Sequence, residues 1–559
     1  VDRFDETFDF IVVGSGGGSM CAALMMHTLG RKTLILEKTD LFGGTTARSG
    51  GVMWIPNNRF MKEAGVDDSF EKAMTYLDNT VGDHDDCPGA THARRAAYVT
   101  EGPKMIDFLV SQGIKLGRVS YWPDYYDERP GGSKEGRTVV ADVFDTNTLG
   151  AWKSKLRPNF MQVPVPLETG MKVSRFKTNW TSKKALFNSA LRILRQKLTG
   201  TAIVTAGAAL QGRMLHAAIN ARIDMRNHAA VKQLIADESG AIVGVVAEIA
   251  GKTRRISARS GVLVNAGGFS RNQAMRDKYQ PGTSVEWTNT TPGDTGEMIE
   301  EMMRHGASIA QMEEMVGCQI TLTPDGAEVH PMVQGELSSP HSVIVDQAGV
   351  RYMREAGSYM KYCQDVFAHD KISPCIPSWL VFDSQFMKKY MVAGTMPGTK
   401  KPADWASSGF LKQADTLEAL AQACEMDPAN LVRSVERFNG FARTGIDEDF
   451  HRGDRAYDRF LGDPAQKPSP SMGTVEKGPF YAYKVYPGDV GTYGGVVTDA
   501  EARVLREDGT VIPGLYATGI STASVMGRCY PGAGSSVGPS FVWGYVAAKH
   551  AGNASNIAA

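Results

Sequence analysis

The first stretch whose residue types and spacing could do chemistry is Gly14-Ser15-Gly16-Gly17-Gly18-Ser19. It follows the unbroken apolar run Phe10-Ile11-Val12-Val13 and precedes the apolar run Met20 to Leu24. A strand apolar on both sides of its pleat belongs inside a parallel sheet. Gly14 and Gly16 let the backbone approach a pyrophosphate, and the helix opening there offers unpaired N–H groups and a positive dipole end. A second strand, Thr33-Leu34-Ile35-Leu36, ends on Glu37 and Lys38. That is about 20 residues on, where an acid binds a ribose hydroxyl. The pattern predicts dinucleotide binding. Ser19 stands where a third glycine is usual, a departure expected to loosen helix–strand packing.

Further glycine- and hydroxyl-rich stretches recur at strand ends. Gly43, Gly44, Thr45, Thr46, Ser49, Gly50 and Gly51 form a loop suited to close approach to a phosphate or ring, or else a flexible surface loop. The buried strand around Val262 to Val264 ends in Ala266-Gly267-Gly268, and the one around Leu515 to Ala517 ends in Gly519. Arg528 to Ser540 is a Gly/Ser-rich run with Gly534, Ser536 and Val537, opening a helix through Lys549 and so a second N-terminus for an anion or carbonyl. The aromatic cluster from Tyr121 to Tyr126, pinned by Pro123, reads as core or as a flat apolar ligand surface.

The elements that must position these residues make an α/β chain of more than one folding unit, since 559 residues exceed the usual domain size. A change of character near 280–290 and the return at Gly491 to Asp499 predict a nucleotide-binding domain discontinuous in sequence. It would comprise 1–288 and 489–559, with an α+β domain of 289–488 inserted. Net charge is zero, which argues against nucleic-acid binding. Seven scattered cysteines read as reduced packing thiols, and no metal site is expected. No apolar run approaches the roughly 20 residues that span a bilayer, and no leader pattern precedes the first strand. The cytoplasm is the expected compartment.

Residues 127–200 read as an insertion, with fourteen Lys/Arg against six Asp/Glu. Toward its end Leu186, Ala190, Leu194 and Leu198 share one helical stripe flanked by cations. This predicts either an ordinary surface helix or a basic amphipathic helix resting on an anionic membrane, on the inner face.

Taken in order, these pieces resemble the fumarate reductase/succinate dehydrogenase-like FAD flavoproteins, and among them the 3-ketosteroid Δ1-dehydrogenases. The resemblance covers nearly the whole chain outside 127–200. It implies a Rossmann-like FAD domain with non-covalent FAD, since the 43–51 loop has no histidine, and a cofactor set that includes Asp294. In the resembling enzymes a tyrosine in a Trp-Pro-Asp-Tyr stretch matches Tyr125. A tyrosine four residues past the glutamate of an Arg-Phe-x-x-Glu segment matches Tyr359, with Tyr362 as a competitor. A Tyr-Pro-Gly-x-Gly tail matches Tyr530 and Gly534. Arg354-Glu355-Ala356 replaces the family's Asn-Glu-Ser.

The resemblance implies 1,2-dehydrogenation of a 3-ketosteroid. Tyr530 and the Gly534 N–H would polarise the ketone, Tyr359 would take the carbon-2 proton beside Tyr125, and flavin would accept the carbon-1 hydride before passing electrons to a quinone-like acceptor. Arg528 and His330-Pro331 keep open a fumarate-reductase-type enzyme. A dehydrogenase of another steroid position and an electron-transfer flavoprotein subunit are the remaining alternatives.

Overall fold

The computed structural model describes residues 3–554 apart from 120, 161–163, 325 and 327–332; His330-Pro331 therefore lies outside the described residues. At the centre stands β1 (Glu6–Val13), whose residues 10–13 are all but inaccessible to solvent. The chain turns at Gly14 into α1 (Gly17–Thr28) and returns as β2 (Thr33–Leu36), parallel to β1 from Phe10↔Thr33 to Val13↔Leu36.

The basic segment is not a self-contained insertion. Thr138–Ala141 forms an antiparallel sheet with Val52–Trp54 and Leu116–Arg118. Arg137, buried, is ion-paired to Asp68 at 2.6 Å and Asp124 at 2.8 Å. Removing either acid would leave the buried guanidinium with a single carboxylate partner, which is destabilising in the interior. Only the later part projects outward, as α2 (Leu167–Val173) and α3 (Trp180–Thr199).

The chain comes back through the expected hairpin, Ala229–Ala236 with Ile242–Ile249, into β3 (Lys252–Val264). β3 lies parallel to β1 on the side opposite β2, Phe10↔Gly261 to Val13↔Val264. Val511–Ala517 extends the same sheet beyond β3. The main path of this eight-stranded sheet is thus assembled from both ends of the chain, and the mixed α/β, Rossmann-like architecture is present.

A second, antiparallel sheet joins Met315–Ile320, Phe480–Thr492, Ser378–Asp383 and Ser342–Val345. Its long strand runs to Thr492, past the expected boundary at 488, because it must pair along both Met315–Ile320 and Ser378–Asp383. Packed against this sheet is α4 (Tyr359–Asp370). The last helix, α5 (Val537–Asn553), returns across α1.

That crossing explains part of the glycine fingerprint. A Cβ on Gly17 would lie 1.9 Å from the Phe541 ring, and one on Gly18 2.1 Å from the Ser540 carbonyl oxygen. Both glycines, expected in the cofactor cradle, let α1 and α5 touch. Ser19 does not loosen the packing: its hydroxyl accepts a hydrogen bond from Asn265 Nδ2 at 2.9 Å and ties α1 to the end of β3. No described helix is long and apolar enough to cross a membrane.

Candidate active site and cofactor cavity

A cavity of about 1030 Å³ opens at the carboxyl ends of β1, β2 and β3, where ligands of open α/β sheets bind. Of the residues expected at a cofactor, Gly14, Ser15, Gly16, Glu37, Lys38, Gly44, Thr45, Thr46, Ser49, Gly50, Gly51, Ala266, Gly267, Asp294, Gly519, Gly534, Ser536 and Val537 line it. Gly17, Gly18, Ser19, Gly43 and Gly268 do not. Gly43 sits behind the wall at φ +114°, its N–H donating to Ser15 Oγ at 3.0 Å. Gly268 donates its N–H to Asp294 Oδ1 at 2.5 Å and packs on Thr492.

The cradle fits a dinucleotide. At Gly14, with φ +94°, a Cβ would fall 2.2 Å from the Asn265 carbonyl oxygen, so only glycine turns here. Glu37 receives the Ser15 hydroxyl at 2.5 Å and the Thr39 N–H at 2.9 Å, which fix the carboxylate at the cavity edge with acceptor capacity left for a ribose hydroxyl. Lys38 is committed to Thr295, 2.9 Å away, and to Glu297. Asp294 is a brace: burial raises its pKa, and it accepts the N–H groups of Gly268 and Ser270. Arg48, Arg157, Thr39 and Asn265 also line the cavity; Arg48 and Asn265 stand within the glycine-rich stretches at 43–51 and 265–268 but were not singled out there.

Beyond the glycines the same cavity is aromatic. Tyr125, Tyr359 and Tyr530 converge, with ring centroids 5.6 Å apart for Tyr125–Tyr359, 5.8 Å for Tyr125–Tyr530 and 5.0 Å for Tyr359–Tyr530. Three different parts of the fold deliver them. Tyr125 follows Asp124, which is locked by Arg137 and by Trp54 Nε1 at 2.8 Å; the Tyr125 N–H also donates to the Pro531 carbonyl at 2.9 Å. This last bond ties Tyr125 to the loop carrying Tyr530.

Tyr359 is the first residue of α4, and the preceding motif anchors it. Arg351 holds Glu355 with two bonds of 2.8 Å and Asp447 with bonds of 3.0 and 2.7 Å, while Arg452 meets Glu355 at 3.2 Å. Burial pushes the Glu355 carboxyl up, but Arg351 and Arg452 outweigh it and hold it below its ordinary value. Arg354, the departure from the family pattern, is accommodated by donating to the Phe450 carbonyl at 2.8 Å. Tyr362, one turn on, packs away from the cavity with Met353 and Leu380. The structure thus brings Tyr359, not Tyr362, to the other two tyrosines.

Tyr530 enters from the loop before α5. Its hydroxyl lies 3.1 Å from Ser536 Oγ. Burial raises its pKa, opposed by the Ser536 and Tyr359 hydroxyls and by the N–H groups of Ser536 and Gly534. The Gly534 N–H thus lies beside the Tyr530 hydroxyl, and both line the cavity. Burial likewise raises Tyr359 and Tyr125 well above the ordinary phenol range. All three are neutral hydroxyls at pH 7, and an ionised Tyr359 would be a strong base of low population.

A fourth phenol was missed. Tyr457 stacks on Tyr125 with centroids 4.1 Å apart and accepts a hydrogen bond from Gln334 Nε2 at 3.1 Å. No glycine, acid or spacing marks it in the sequence. Arg528, weighed as a carboxylate clamp, points away from the cavity to Glu313 at 2.7 Å and Asp86 at 3.1 Å.

The chain matches the FAD binding domain family over residues 9–537. It is 38% identical to a 3-oxosteroid 1-dehydrogenase of Mycobacterium tuberculosis, covering 98% of each chain. Identity to the enzyme of the same name from Mycolicibacterium smegmatis is 37%, over 97% of each. Among solved structures, the 3-ketosteroid Δ1-dehydrogenase of Sterolibacterium denitrificans superposes with a TM-score of 0.91 at 33% identity, covering 98% of this chain and 99% of that one. With a glycine-cradled FAD site opening onto a cluster of neutral phenols, the chain belongs to the 3-ketosteroid Δ1-dehydrogenase family of FAD flavoproteins.

Proposed function

We propose that this protein removes two hydrogens from carbons 1 and 2 of a 3-ketosteroid, with residues 1–288 and 489–559 holding FAD and 289–488 completing the substrate site. The observation that carries the reading is the convergence of Tyr125, Tyr359, Tyr530 and the Gly534 N–H in one cavity with the glycine cradle. The Tyr530 hydroxyl and Gly534 N–H receive the ketone oxygen and stabilise negative charge as it develops there. That stabilisation acidifies the neighbouring carbon 2, whose proton passes to the oxygen of Tyr359. Tyr125 shares the charge on Tyr359 and passes the proton on. A hydride acceptor for carbon 1 is supplied by FAD when it is bound among the glycines.

Neutral phenols suit a ketone oxygen on an apolar ligand, whereas a dianion calls for guanidinium clamps. Arg528 turned to an acidic surface patch speaks against the dicarboxylate alternative. The electrons leave to an external acceptor of quinone type.

Turnover of androst-4-ene-3,17-dione with a soluble quinone tests the reading. The expected product is two hydrogens lighter and carries the 1,4-dien-3-one chromophore. Hydrogen removal at the 4,5 bond of a saturated steroid, with no conversion at 1,2, would overturn it.

A further inference from the structure

Beyond the phenol cluster the cavity is walled by rings and, at the far end of those rings, carries cations. Tyr125 stacks on Tyr457, and Tyr457 stacks on Phe460 with centroids 6.0 Å apart. Phe460 in turn meets Tyr121 at 5.8 Å and Trp122 at 5.7 Å. All of these rings line the cavity. They form a largely apolar strip that starts at Tyr125, beside Tyr530, and a flat four-ring skeleton with its ketone at Tyr530 would lie along it.

Where the strip ends, positive charge gathers. Lys172, Arg175 and Arg459 line the same cavity, with Glu168 beside them. Lys172 is held by Glu168 at 2.6 Å and lies over the Tyr121 ring, 5.5 Å from its centroid. Arg175 has no such acid. Its guanidinium donates to the carbonyls of Phe460, at 3.4 Å, and Leu461, and it forms no ion pair among the described residues. Asp463, which acts on it through space, is occupied by the Tyr390 hydroxyl at 2.9 Å and the Ala465 N–H at 3.0 Å. Burial lowers the Arg175 pKa, as it does for a cation short of counter-charge. Arg459 commits Nη1 to the carbonyls of Gly453 and Asp454, at 2.8 and 2.7 Å, and likewise forms no ion pair among the described residues. The buried Tyr121 hydroxyl has no hydrogen-bond partner there either.

Two guanidinium groups and an unused phenol are the groups that receive a carboxylate. A guanidinium already fixed by backbone carbonyls loses little further freedom on pairing, and its planar fork matches two carboxylate oxygens. The bonds from Arg175 to Phe460 and Leu461 also hold the end of α2 against the helix Ala456–Leu461 that carries Arg459. We propose that the cavity takes a 3-ketosteroid whose side chain, at the end far from the ketone, terminates in a carboxylate, paired by Arg175 and Arg459 and hydrogen-bonded by Tyr121. The inference rests on the ketosteroid reading above and adds the acid to it.

Titration of the FAD-loaded full chain with 3-oxochola-1,4-dien-24-oate and with its methyl ester, read from the flavin spectrum, tests the acid site without turnover. The acid should bind about tenfold or more tightly than the ester, and the margin should shrink as salt rises. Arg175→Met should bring the acid-to-ester ratio close to one. Arg459→Met, at an exposed side chain bonded to backbone carbonyls, should lower it by about threefold or more and serves if the first variant does not fold. Each ratio is taken within one protein, so a general loss of fit cancels. With 3-oxochol-4-en-24-oate and its ester as substrates, the kcat/KM ratio should follow the same order through KM, because the carboxylate lies far from the reacting carbons.

An ester bound as tightly as the acid, or an acid preference that both variants keep, would overturn the acid site. The binding arm separates this failure from failure of the reaction. Preference for the acid with no conversion of either form would refute the 1,2-dehydrogenation while upholding the acid site. Conversion of androst-4-ene-3,17-dione with equal binding of acid and ester would do the reverse.

Discussion

Replacing Tyr530 with phenylalanine isolates one oxygen atom. The ring is 3% exposed and packed against Tyr359, Tyr125 and Tyr493 at 5.0, 5.8 and 6.0 Å, and every one of those contacts survives the change. What is lost is the hydroxyl 3.1 Å from Ser536 Oγ. Ser536 is partly exposed and can bond water instead, so the folding cost stays near the low end of a lost hydrogen bond, about 0.5–1.5 kcal/mol. The catalytic cost is larger, because the Gly534 N–H alone would face the developing charge. Loss of one oxyanion donor costs about 2.7–4 kcal/mol, or roughly 100- to 1000-fold. Stopped-flow reduction of the flavin by steroid reads that step directly, with FAD content measured in parallel. The rate constant should fall by this factor with FAD fully retained, and kcat and kcat/KM should fall together. A loss below about fivefold, near 1 kcal/mol, would refute the polarising role.

The remaining predictions use other parts of the site. Glu355→Gln leaves Arg351 and Arg452 under-paired and should cost about 3–5 kcal/mol in denaturant unfolding, loosening the start of α4 and with it Tyr359. Glu355 and Asp447 are both held below their ordinary values by these arginines, against burial. The stability they contribute is therefore complete above about pH 4 and is lost as pH falls through their lower folded values, which acid unfolding of parent and Arg351→Met should show as a difference that narrows below that pH. Burial raises the Tyr359 pKa, and the base must be ionised, so kcat/KM should climb with pH from neutrality without levelling before about pH 10. A plateau from pH 7 would contradict Tyr359 as the base. Gly14→Ala places a Cβ 2.2 Å from the Asn265 carbonyl oxygen at φ +94° and should yield protein without FAD, read from the visible spectrum after purification.

How far the sequence reached depended on the kind of signal. β1, α1 and β2 were legible because a strand apolar on both sides, a glycine turn and a terminal acid each follow from local physics. The fingerprint did not say which glycine faces ligand and which faces protein. Gly17 and Gly18 also make room for the crossing with α5, a contact across more than 500 residues of chain that no local window contains. The motif before Tyr359 was visible as a string, but its purpose was not, because Asp447 and Arg452 reach Arg351 and Glu355 only through the fold. Tyr457 carried no mark and became visible only through its stacking on Tyr125. For α3, periodicity gave the stripe Leu186, Ala190, Leu194 and Leu198, but a stripe does not state which way it faces. Ser182, Ala185 and Ser189 turned out to be the inner side. The segment 127–200 looked separable because its composition differs from its surroundings, yet Thr138–Ala141 is paired on both edges and Arg137 is buried.

The central claim is that a ketosteroid delivers its hydrogens to this site through the phenol cluster. Anaerobic mixing of the FAD-loaded protein with androst-4-ene-3,17-dione tests it in a single turnover. The account predicts loss of flavin absorbance with formation of one equivalent of the 1,4-diene. Flavin that stays oxidised with the steroid, but once reduced is reoxidised by fumarate, would contradict it.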